Sequence, residues 1–83
     1  MEIRIHHHAL ERMAERGASD AEIIETVSEG EKFSAKFGRT GFRKNFIYND
    51  EWKGRRYLTK QLEVFAVEEE QGWLAITVIV KYF

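Results

Sequence analysis

The chain has 83 residues, 43% of them apolar, and a formal net charge of −1. That length makes one domain, spanning residues 1–83, and that composition supports a packed core, which excludes an intrinsically disordered chain. With no cysteine, disulfides and cysteine-based zinc sites are excluded, and a reducing cytoplasm is the expected compartment.

No apolar run approaches the ~20 residues of a membrane span, so no membrane partner is expected. The opening Met1–His8 stretch has no apolar signal-peptide segment. A helix is predicted over about 8–16. Leu10, Met13 and Ala14 recur at helical spacing, and Gly17 stands just beyond as a stop. His8, Arg12 and Arg16 are four apart and line one polar face. A second helix is predicted over about 20–29. Ser19-Asp20-Ala21-Glu22 is a capping box, Ile23, Ile24 and Val27 form the apolar stripe, and Gly30 ends it.

The hydrophobic period then changes to two. Strands are predicted over about 32–37, 42–48, 57–68 and 73–83, with a turn at Gly38-Arg39-Thr40-Gly41, a polar loop at 49–54 carrying Trp52, and a hairpin turn at Glu70-Gln71-Gly72. Helices followed by strands give an α+β fold. The expected architecture is two N-terminal helices packed on a four-stranded antiparallel sheet, with Leu10, Met13, Ile23, Ile24, Val27, Ile76, Val78 and Val80 in one core.

Charge is unevenly placed. Between Lys32 and Lys60 nine basic residues face two acidic ones, whereas between Glu11 and Glu31 seven acids face two arginines. The basic middle is interleaved with Phe37, Phe42, Phe46, Trp52 and Tyr57. Cations neutralise phosphates and exposed rings stack bases, so Lys36, Arg39, Arg43, Lys44, Lys53, Arg55, Arg56 and Lys60 form a candidate RNA-binding constellation with Lys36, Arg39 and Arg43 as its phosphate contacts. Most of the rings, at period two, are nevertheless expected in the core. In the first helix His8 occupies the opening turn, where the dipole favours a neutral imidazole that can accept a proton. Arg12, one turn on, can bind a phosphate. Thr77 is a hydroxyl in an otherwise apolar last strand. Lys60 alternates with Leu62, Val64 and Ala66, which turns it toward the core unless a bulge frees it. Three adjacent histidines, 6 to 8, cannot all point one way on a helix, and no His or Cys lies elsewhere, so neither a metal site nor a cofactor is expected.

His8-Ala9, Arg12-Met13, Arg16-Gly17-Ala18-Ser19 and Glu22-Ile23 carry a resemblance. They resemble the opening of a small bacterial domain family of unknown function that begins with a His-Ala-x-x-Arg-x-x-x-Arg-Gly helix. Glu29-Gly30, Gly38-Arg39, Phe42-Arg43, Lys60-Gln61, Val67-Glu68-Glu69 and the closing Ile76-Thr77-Val78 extend it over nearly the whole chain. The resemblance implies the fold shared by barnase, EndoU, colicin nucleases and RelE toxins, many of them metal-independent ribonucleases and often paired with an antitoxin. On that reading His8 takes the 2′-hydroxyl proton of RNA, Arg12, Arg39, Arg43 and Lys60 neutralise phosphate charge, and Thr77 orients the phosphate. The alternative is a non-catalytic module that binds RNA or a protein partner such as a cognate antitoxin. One departure stands out: RelE-type toxins are strongly basic, whereas this chain has a pI near 6.3.

Overall fold

The computed structural model describes residues 2–83. Seven elements follow in chain order: β1 (Glu2–Ile5), α1 (His7–Arg16), α2 (Asp20–Glu29), β2 (Glu31–Ser34), β3 (Thr40–Trp52), β4 (Arg55–Glu69) and β5 (Gly72–Tyr82). The strands form one sheet in the order β1-β5-β4-β3-β2. β2, β3, β4 and β5 pair antiparallel, and β1 lies parallel to β5, with Ile3 opposite Trp73 and Ile5 opposite Ala75.

The architecture is therefore α+β, as composition and order imply, but the four-stranded antiparallel, RelE/barnase-like sheet is overturned. The sheet has five strands and is mixed. The extra strand comes from Glu2-Ile3-Arg4-Ile5, whose apolar residues alternate with charged ones. Ile3 and Ile5 pack against the core from the sheet edge, which a stretch read only as a lead-in to the helix leaves unexplained.

The helices begin and end by local chemistry. The Ser19 hydroxyl accepts from the Glu22 amide at 3.2 Å, and the Glu22 carboxylate accepts from the Ser19 amide at 2.9 Å, a complete capping box. α1 ends at Gly17 in the left-handed conformation (φ 78°), whose amide donates back to Met13. No side chain would fit there, because a Cβ would lie 2.6 Å from the Tyr82 hydroxyl and 2.7 Å from the Trp52 ring.

Both helices cover one face of the sheet. Met13, Ile23 and Val27 meet Phe42, Leu62, Val64, Ala66, Trp73, Ala75 and Val78 in one cluster. Strand alternation selects that set: Phe42 pairs with Val64, which pairs with Val78. Two expected core residues turn outward, Leu10 at 47% exposure and Ile24 at 43%. Ile23 takes the inward position of α2, and its neighbour, 100° around the helix, cannot share it. Ile76 sits beside the β4–β5 irregularity and is half-buried.

The strand limits also shift. β2 stops at Ser34, and Phe37 leaves the sheet with φ 62°. The 49–52 segment, read as a loop, instead extends β3, and the hairpin closes over Lys53-Gly54, both at positive φ (51° and 82°). Two such residues match the tight turn that suits the twist of paired strands.

The packing sets a contrast that denaturation can read. Ile23→Ala, at a fully buried position, should cost about 2–5 kcal/mol. Ile24→Ala should stay within about 0.5 kcal/mol of the parent. Urea titrations giving equal losses would contradict this placement of α2.

Candidate functional site

The sheet face away from the helices is uncovered, and alternation decides what it displays. Phe33 on β2, Gly41 and Arg43 on β3, Glu63 and Phe65 on β4, and Thr77 and Ile79 on β5 share it by register. Gly41 matters because the Phe33 ring lies over it. A Cβ at that position would come within 2.3 Å of two ring carbons. The missing side chain thus lets Phe33 lie down on the sheet, where it meets Phe65 edge-to-face at 5.9 Å.

Beyond β2 the chain turns back through residues 35–39. That turn raises Phe37, Lys36 and Arg39 at the rim of the Phe33–Phe65 floor. The result is a shallow concavity of about 420 Å³, lined by Phe33, Ser34, Ala35, Lys36, Phe37, Arg39, Phe65 and Thr77. Phe37 is 89% exposed and held at positive φ, a conformation that costs a bulky residue energy. Lys36 and Arg39 join no ion pair among the described residues. The site therefore combines apolar and aromatic surface, one hydroxyl and two uncommitted cations.

Arg43 borders this concavity but is committed elsewhere. Its guanidinium donates to Glu63 Oε2 at 2.8 and 2.7 Å, approaches Glu31 at 3.7 Å, and stacks 4.5 Å above the Phe33 ring. Lys81 reaches Glu63 from the other side at 3.4 Å. Burial alone would raise the Glu63 carboxyl, but hydrogen bonds from Arg43 and the charge of Lys81 outweigh it and hold the group below the usual carboxylate range.

The remaining sequence-derived residues lie on the other layer. His8 and Arg12 are exposed on α1, and Arg12 pairs with Glu15 at 3.1 Å. Lys60 follows its alternation. It is 6% exposed, its ammonium donates to the Gly17 carbonyl and to Glu22 at 2.8 Å, and it lies 5.6 Å from the Tyr48 ring. Next to it the Tyr82 hydroxyl donates to the Arg16 carbonyl at 2.8 Å. Burial, with Tyr48 and Glu22 adding to it, pushes that phenol up to about 12. Arg16 donates to the Val78 carbonyl. Lys60 and the Arg16-Gly17 pair of the helix motif thus join helices to sheet.

The structure brings Lys36, Arg39 and Thr77 together, sets Arg43 beside them, and leaves His8, Arg12 and Lys60 across the sheet. Sequence reasoning missed Phe33 and Phe65 as site residues. Phe33 alternates with polar Lys32 and Ser34 at a sheet edge, a pattern equally suited to core or surface. The signal that separates the two is Gly41, directly across the register from both rings.

Fold and site together define a two-layer α+β domain with one covered and one open sheet face. A family model described as a domain of unknown function, DUF4258, matches residues 5–80, and the chain belongs to that family. Neither a curated protein nor a solved structure gives a match.

Two outcomes test this geometry. The Glu63 carboxyl is depressed in the folded state, so the stability it contributes is present above its unfolded value, near pH ~4.3. That stability is lost as pH falls through the lower folded value. Glu63→Gln should therefore be less stable near neutrality and show a shallower loss on acidification, measured by urea midpoints across the acid range. Lys60→Ala should cost about 3 kcal/mol, because it strands a partly buried carboxylate and a carbonyl; a near-zero loss by the same method would contradict the anchoring role.

Proposed function

We propose that the chain is a non-catalytic RNA-binding module that holds single-stranded RNA on its open sheet face. The observation that carries this reading is the concavity in which Phe33, Phe37 and Phe65 stand beside Lys36, Arg39 and Thr77. An exposed ring such as Phe37 offers a stacking surface to any base, and the adjacent free cations suit the backbone phosphates. Thr77 supplies a hydroxyl that can donate to or accept from a base edge or a ribose. A modest overall charge is compatible with this, since two cations, Lys36 and Arg39, line the concavity beside the rings.

The cleaving alternative, with His8 as general base and Arg12 beside it, finds less support. A base must stand within hydrogen-bond reach of the proton it removes, while the cations hold the same phosphate. Here the first-helix pair and the strand cations occupy opposite layers of the molecule.

Titration with a labelled single-stranded oligoribonucleotide, followed by anisotropy and amide NMR, tests the proposal. Shifts should cluster at residues 33–39, 65 and 77. Phe37→Ala should weaken binding by about 1–3 kcal/mol. Lys36→Ala/Arg39→Ala should lower the salt dependence, at roughly 0.7 of a logarithmic unit for each phosphate left without its cation. The RNA should remain intact in EDTA. Shifts centred on His8 and Arg12, or chain cleavage abolished by His8→Ala, would overturn the binding-module reading.

A further inference from the structure

The second feature lies on the helix layer, at the entry to α1, and is independent of the open face. A run of three histidines on a continuous helix would fan out at 100° per residue. Here the helix starts at His7, and His6 is the N-cap in an extended conformation (φ −65°, ψ 149°). That single non-helical residue swings the His6 ring back over the first turn. His6 and His8 stack with centroids 5.0 Å apart and planes 20° from parallel, and His7 lies 4.3 Å from each. One ring nitrogen from each residue falls within 4.8 Å of the other two. The expectation of no metal site rests on two grounds: three histidines fanning out on a helix, which His6 as N-cap escapes, and no His or Cys elsewhere, which stands.

We propose that His6, His7 and His8 form a surface site for one divalent transition-metal ion of borderline softness, such as zinc or nickel. Three imidazoles suit those ions, and the remaining coordination positions face water. Metal–nitrogen bonds of about 2.0–2.1 Å place cis nitrogens roughly 3 Å apart, so the rings must draw in by under about 2 Å. His7 and His8 are exposed, and side-chain rotation accomplishes this. The cost falls on His6. Its Nδ1 accepts the His8 amide at 3.2 Å, so in the neutral ring the proton sits on Nε2. Coordination takes the Nδ1 lone pair from the amide, or moves the proton to Nδ1 and uses Nε2. Either way one long hydrogen bond is lost while three metal–nitrogen bonds form. The positive end of the α1 dipole opposes a cation, which makes this a site of moderate affinity.

The test is a titration of the metal-free protein with zinc chloride, read by imidazole NMR and by melting temperature, on the parent, His6→Asn and His7→Gln/His8→Gln. Asparagine is a good N-cap, so His6→Asn removes the ligand and keeps the helix start. The parent should saturate at one equivalent, with shifts confined to the three rings, and its melting temperature should rise with zinc. Both variants should fold and bind zinc about tenfold or more weakly. Unsaturable binding by the parent would overturn the site. Full affinity in His6→Asn would overturn its three-ligand form, and full affinity in the double variant would place the ion elsewhere.

Discussion

The Lys60 ammonium is the point on which the two layers turn. It is charged, almost wholly buried, and positioned in the middle of the central strand β4. Removing such a group from water is costly unless its donors are satisfied. The satisfaction comes from the α1–α2 junction, through the Gly17 carbonyl and the Glu22 carboxylate. The same Glu22 oxygen closes the capping box that starts α2. The left-handed turn at Gly17 aims its carbonyl at the sheet, and the absence of a side chain admits Tyr82 and Trp52. Cap, turn and buried charge therefore form one unit. Each fixes where the helix pair sits, and so which face of the sheet is covered and which is left open.

That asymmetry sorts the polar chemistry. On the covered side three cations are committed: Lys60 to the helix junction, Arg16 to Val78, and Lys44 to Glu25 at 3.6 Å. On the open side Arg43 and Lys81 neutralise Glu63, while Lys36 and Arg39 stay uncommitted beside the exposed Phe37 ring. A basic stretch of sequence therefore resolves into structural and available charges. Only the available ones can bind a ligand without breaking something in the fold.

Much of the fold is legible in the sequence where one local rule dominates. The Ser19–Glu22 box and the Gly17 stop each follow from a short pattern, and each is present. Alternation leaves Lys60 open, inward unless a bulge frees it, and the register runs through it without a shift. Legibility fails where two rules compete. Ile23 and Ile24 are equally apolar, and only the packed sheet chooses between them. The 49–52 segment is polar enough for a loop, yet the length of β4 gives it a partner. Glu2–Ile5 is too short to declare itself, because its partner lies at the far end of the chain. The candidate site was half legible. Its cations stand out by charge, whereas the Phe33–Phe65 floor depends on a cross-strand glycine that no single segment reveals.

The pairing of β1 with β5 also shapes the order in which the molecule can assemble. The helices and the β3–β4 hairpin rest on near neighbours in the chain and can form early, before much loop entropy has been lost. Ile3 cannot find Trp73, nor Ile5 Ala75, until nearly the whole sequence is available. Until then β5 presents a bare strand edge, and it is the apolar, β-branched strand of the set. β5 follows the other strands in the chain, so β1 gains its partner only after they have been made. Glu2 and Arg4 on the short capping strand then leave the finished sheet with a charged margin instead of an apolar one, a guard against pairing with other chains.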